Sequence, residues 1–168
     1  MRRIPQEAIV TEVNFFHVIR TSIDEALPEM LEKTVDKRLR AVAMVGSPTR
    51  SEALTQYLWI YRTNSFLAHG NAKDGDAVNQ PIWITHLDER PNQAEVLFLL
   101  DGMQSTKLGE YIRVCDLFDG RDDYAVVAAR VRYKAAQSAG YTPKYWQQSD
   151  RGWEKKRTGT LPKPISPT

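Results

Sequence analysis

Arg130, Tyr133, Lys134 and Gln137 are linked by steps of three and four residues near the end of the chain, Arg130 to Tyr133 or Lys134 and each of these to Gln137. On a helix those intervals bring them onto one flank. Beside them, Tyr124, Val127, Ala128, Val131 and Ala135 recur at i, i+3, i+4, i+7 and i+11 and read as the stripe that faces a sheet. Arg132 projects from the other flank. Two cations and an aromatic body next to a hydrophobic edge could grip a peptide that ends in a carboxylate after an apolar side chain. The same pattern also describes a solvated helix face carrying lysine and arginine for solubility. Spacing alone leaves both readings open.

Other groupings carry weaker chemistry. The run Gly46-Ser47-Pro48-Thr49 follows an apolar stretch and precedes a helical one, a place where backbone N–H groups attract anions. It lacks both GxGxxG and GxxxxGK[ST], so the specific parts of a nucleotide loop are missing. Asp74, Gly75 and Asp76 resemble a fragment of a calcium loop, yet the twelfth position counted from Asp74 is Thr85 where a glutamate ligand is needed. Asp101, Asp116 and Asp119 fall near predicted strand ends, without a matched base or nucleophile, and read as capping and turn residues. His17, His69 and His86 show no i,i+4 ligand spacing. Cys115 sits in an apolar run and reads as a small core residue. No cofactor and no metal site are expected.

A chain of 168 residues with 42% hydrophobic and 26% charged residues suits one soluble domain plus tails. Its net charge of +2 is too small for the broad positive field of a protein that lives on phosphate backbone. The charge is uneven, however: from Lys144 onward it is +4, leaving −2 for the rest. A single cysteine excludes an intramolecular disulfide and agrees with a reducing compartment. No apolar run is long enough to span a membrane, and the basic start lacks an apolar signal region. A cytoplasmic protein is expected.

Strand and helix signals alternate along the chain. Strands are predicted over 10–18, rich in β-branched and aromatic residues, and over the apolar runs 40–45, 82–84 with its neighbours, 96–100 and 111–118. Helices are predicted from Thr21 and Ser22, from Thr49 capped with Glu52, and over 122–139 with Gly140 closing the last. Pro28 is expected to kink or restart the first of these. This alternation predicts an α/β fold: a three-layer αβα sandwich with a largely parallel, Rossmann-like central sheet. Residues 1–9 read as an extension from an overlong start assignment, 10–156 as the domain with a C-terminal extension from about 141, and 157–168 as a flexible, proline-rich tail.

The segment SEALTQYLWIYRTNSFLAHG, with its Leu58-Trp59, Ser65-Phe66 and His69, then QPIWIT, AEVLFLLDG, CDLFDGRDD and AARVRYKAAQSAGY running into YWQQ, resembles the chi subunit family of bacterial DNA polymerase III. The similarity extends from Val10 to about Lys156. It implies a non-catalytic replication accessory subunit that carries the DNA polymerase label only as part of the holoenzyme. It also implies two binding surfaces. One, carried by Arg130, Tyr133 and Lys134, grips the acidic C-terminal tail of the single-stranded DNA-binding protein, and through it touches DNA indirectly. The other, carried by Trp59 and Phe66, takes a psi-like clamp-loader subunit or a helicase.

Three departures from the family pattern stand out: Val126 replaces a basic residue one turn before Arg130, Ala68 replaces a proline after the Ser-Phe pair, and the YWQQSDRGWEKKR extension is absent from the shortest members. Lys144 or the tail could supply the charge missing at Val126. The alternatives are a nucleotide-binding enzyme on the same fold, and direct binding of single-stranded DNA through the basic tail with Tyr145, Trp146 and Trp153 as stacking platforms.

Overall fold

The computed structural model describes residues 10–61 and 67–157. The first strand, β1 (Glu12–Val18), is followed by α1 (Ile23–Asp36), whose N-terminus is capped where the Ser22 hydroxyl accepts from the Glu25 amide at 3.1 Å. Pro28 is buried within α1, which neither stops nor restarts there. Strand β2 (Ala41–Met44) leads into α2 (Pro48–Ile60). The cap of α2 is Ser47, whose hydroxyl accepts from the Arg50 amide, and not Thr49 as the sequence predicts. Pro48 explains the shift: with φ preset and no N–H to satisfy, proline suits the first helical position.

Strands β3 (Ile82–Thr85), β4 (Val96–Leu99) and β5 (Arg113–Asp119) precede α3 (Asp123–Ser138). Asp122 caps the start of α3, and Gly140 closes its end with φ of 96°, where a side chain would be strained. Two further strands, β6 (Lys144–Ser149) and β7 (Gly152–Lys156), complete the sheet. Its order is β3-β2-β4-β5-β1-β6-β7, and all pairings are parallel except the β6–β7 hairpin. The expected sandwich with a mostly parallel sheet is the fold of this chain.

Alternation along the strands sorts the core into two halves. Phe16, Val18, Ala43, Phe98, Cys115 and Leu117 meet Leu27 and Leu31 of α1 and Leu54 and Leu58 of α2 on one face. Val13, Phe15, Met44, Leu97 and Val114 meet Val126, Ala129, Tyr133 and Ala136 of α3 on the other. The stripe of α3 predicted to face the sheet is therefore corrected. Tyr124, Val127 and Val131 are 89%, 47% and 63% exposed and lie on the solvent side. Arg132 is turned inward, where it makes a forked pair with Asp116 of β5 at 2.7 and 2.9 Å. With alanines beneath it, α3 lies close to the sheet, and its one buried cation is satisfied by one buried acid.

Candidate protein-interaction surfaces

What fixes α3 also decides what it presents outward. The Arg132–Asp116 pair sits almost entirely out of solvent, with side-chain exposures of 8% and 4%. Burial drives the Asp116 carboxyl upward, and the Arg132 fork works against that. Tyr133 is only 3% exposed: its ring lies 5.2 Å from that of Phe15, and its hydroxyl donates to the Pro143 carbonyl at 3.0 Å. Thus Arg132 and Tyr133 hold the helix down. Arg130 and Lys134, one turn apart, remain on a flank that grades into the exposed Val127 and Val131, and neither forms an ion pair with a described residue. The structure keeps the two cations together and places Tyr133 beneath them as an anchor. Val126 is buried, and Lys144 is engaged by Glu12 at 3.1 Å, so neither adds charge to this flank.

Near the end of α2, Trp59 is 53% exposed, with its ring centroid 4.6 Å from that of His69. His69 is itself seated, its Nδ1 2.6 Å from the Leu67 carbonyl and its Nε2 3.0 Å from the Thr55 carbonyl. Ile60, beside Trp59 in the chain, is also exposed. Phe66 lies outside the described residues.

The remaining groups have local duties. At the strand-to-helix turn before α2, the place where a Rossmann-like fold would hold a phosphate is taken by the chain's own Asp101. Its carboxylate accepts from the Gly46 amide at 2.9 Å and from Arg50 Nε at 3.1 Å, while Arg50 also forks onto Asp24 at 2.8 and 2.9 Å. The Arg50 guanidinium is held in its charged form first by Asp24 and then by Asp101. A Cβ at residue 46 would come within 3.2 Å of the Asp101 Cβ, so glycine lets the carboxylate in.

Asp119 accepts from the Arg121 amide at 2.9 Å, and Asp74 from the Asn71 amide at the same distance. Burial pushes the Cys115 thiol up to about 12, which leaves it protonated and inert. Among the described residues, no three His, Cys, Asp or Glu side chains gather as a metal-holding group, and no helix is long and apolar enough to cross a membrane. Tyr145 is buried, Trp146 donates to Asn14 Oδ1 at 2.9 Å, and Trp153 stands edge-on to Phe16 at 5.0 Å. These aromatics pack the hairpin onto the sheet.

Residues 10–144, from just before β1 to the first residue of β6, match the family model described as DNA polymerase III chi subunit, HolC. The chain belongs to the chi subunit family. A probable DNA polymerase III subunit chi of Rickettsia prowazekii (strain Madrid E) is 27% identical over 106 residues, covering 61% of this chain and 64% of that relative. The chain thus spans somewhat less than two thirds of the length of the curated relative it matches. The chi family match ends where the β6–β7 hairpin begins, so that hairpin stands beyond the matched region.

Of the residues that the chi resemblance carries over, Arg130 and Lys134 share one flank of α3, Tyr133 underlies it, and Trp59 is exposed on a separate element. Sequence reasoning missed Tyr124, Val127 and Val131 as surface residues, because they repeat at the same helical intervals as the residues that are buried. The signal available was Arg132. A helix register that buries Val126, Ala129 and Tyr133 also buries this arginine, and Asp116 in the preceding strand was the acid to pair with it.

Proposed function

We propose that this chain is a replication accessory subunit, without catalysis of its own, which uses the outer face of α3 to hold the acidic C-terminal tail of the single-stranded DNA-binding protein. The observation that carries this reading is an apolar strip left in solvent on α3, Tyr124, Val127 and Val131, bordered by two cations that have no acidic partner among the described residues. Arg130 receives the terminal carboxylate as a forked, charge-assisted contact. Lys134 attracts the acids upstream, and the valines take the terminal apolar side chain. Tyr133 contributes by fixing the helix and the edge beside Arg130. The exposed Trp59 side of the molecule, together with Phe66, would serve a second partner, a psi-like clamp-loader subunit or a helicase.

A short tail that must be ordered on binding gives a dissociation constant on the order of micromolar, roughly −8 kcal/mol. Many tails on coated DNA then raise retention through multivalency. The test is a calorimetric titration with a peptide of the last eight residues of the single-stranded DNA-binding protein. Arg130→Ala is expected to weaken binding at least about tenfold, a loss of ~1.4 kcal/mol, and added salt to weaken the native complex. An isotherm unchanged by the substitution would remove Arg130 from the site.

A further inference from the structure

On the sheet face opposite α3, a hollow of about 360 Å³ opens between α1 and the β6–β7 hairpin. Its aromatic wall is a cluster: Trp146 stacks on Phe16 with ring centroids 6.1 Å apart, and Trp153 meets the same ring edge-on at 5.0 Å. Two acids line the hollow and both are already engaged, Glu12 by Lys144 at 3.1 Å and Glu29 by Lys33 at 3.7 Å. Three cations also line it: Lys33 is the partner of Glu29, Arg113 lies near enough to Glu12 for the two charges to interact, and Lys37 forms no ion pair with a described residue. The Arg113 Nε–H is buried and meets no well-placed acceptor among the described residues, the side chain having only the Cys115 thiol, a weak acceptor, beside it, an arrangement that costs free energy unless something else accepts from it. The hollow therefore combines three features: flat apolar walls, a buried donor with hydrogen-bonding capacity to spare, and one more cation than acid among its lining residues. Its volume lies at the small end of the range for ligand pockets, room for one ring system.

We propose that this hollow is a docking pocket for an aromatic side chain carried on an acidic segment of a partner protein. The ring packs against Trp146 and Trp153, where stacking and edge contacts add to area burial. An acid or carbonyl next to it in the partner accepts from Arg113, and a second acid faces Lys37. This pocket lies on the other side of the sheet from Arg130 and Lys134, so its occupancy is independent of the tail site.

The test uses the full chain labelled with 15N and follows the tryptophan indole N–H resonances, assigned with Trp146→Phe and Trp153→Phe, during titration with the capped tripeptide Ac-Asp-Trp-Asp-NH2. Saturable shifts of the Trp146 and Trp153 signals are expected, with little response to Ac-Lys-Trp-Lys-NH2. Arg113→Gln should weaken binding about tenfold. Lys37→Glu, on the exposed rim, serves as a second variant whose fold is not at risk, and should weaken it in the same direction, whereas Arg130→Ala should leave it unchanged. The proposal is overturned if the acidic tripeptide moves neither signal, if both tripeptides bind alike, or if oligothymidylate moves these signals and the acidic tripeptide does not.

Discussion

The start of α2 and the outer face of α3 are both places where an α/β protein can meet a ligand, and they are finished in opposite ways. At the start of α2, the Gly46 amide and the Arg50 guanidinium are answered by Asp101 and Asp24 of the same chain. On α3, the cations Arg130 and Lys134 have no acidic partner among the described residues, and three apolar side chains stand in water. A site that supplies its own counter-charge has little left to offer a phosphate. One that withholds it has attraction in reserve for an acidic partner. On the proposed function, this difference is what would let an α/β fold with a phosphate-like turn serve as a binding scaffold instead.

The strongest way to break this contrast is to loosen α3 itself. Arg132→Ala leaves Asp116 buried without its partner, and loss of one member of a buried pair costs about 3–5 kcal/mol. A urea unfolding curve should show that loss as a lower midpoint. Replacing both residues together, as Arg132→Met with Asp116→Leu, should recover much of it, because apolar packing substitutes for a buried pair. Were the single variant as stable as the parent, α3 would owe its register to the alanines and Tyr133 alone.

An effect of intermediate size is expected at the start of α2. Asp101 has φ of 57°, a left-handed conformation that asparagine also tolerates, so Asp101→Asn removes charge with little backbone strain. Arg50 keeps its fork to Asp24, and the site is partly exposed, which limits the loss to about 1 kcal/mol in thermal unfolding. If the native carboxylate is what closes this anion position, the Gly46 amide of the variant should respond to millimolar phosphate in an NMR titration. The parent amide should not.

Those two regions were unequally legible in the sequence. The layer order followed from β-branched runs alternating with capped helices, and Ser22 and Gly140 mark ends that the structure keeps. The register of α3 did not follow. Tyr124, Val127 and Val131 repeat at the same interval as Val126, Ala129 and Tyr133, and apolar character alone favours the first set. What decides between them is a pairing with Asp116, sixteen positions away, that has no local signature. The β6–β7 hairpin was hidden for a related reason. KYWQQS and GWEKK are polar strands at a sheet edge, so only Tyr145 on one face and Trp146 and Trp153 on the other betray that they are packed. The candidate tail site was legible as a set of cations at helical spacing; the apolar surface beside it was not.

The smallest effect on stability should accompany a clear effect on binding. Val131 is well exposed on α3 and helical there, so Val131→Ser exchanges one weak helix former for another and stays within about 0.5 kcal/mol of the parent. In the tail-peptide titration, the same substitution removes apolar surface next to Lys134 without touching charge, and a loss of about threefold to tenfold in affinity is expected. Salt dependence should stay as in the parent, since no ion contact has gone. Arg130→Ala should behave the other way, flattening the salt dependence as it lowers affinity. A Val131→Ser protein that binds as the parent does would leave charge as the whole of the attraction, and the exposed apolar strip would then have to be answered by another partner.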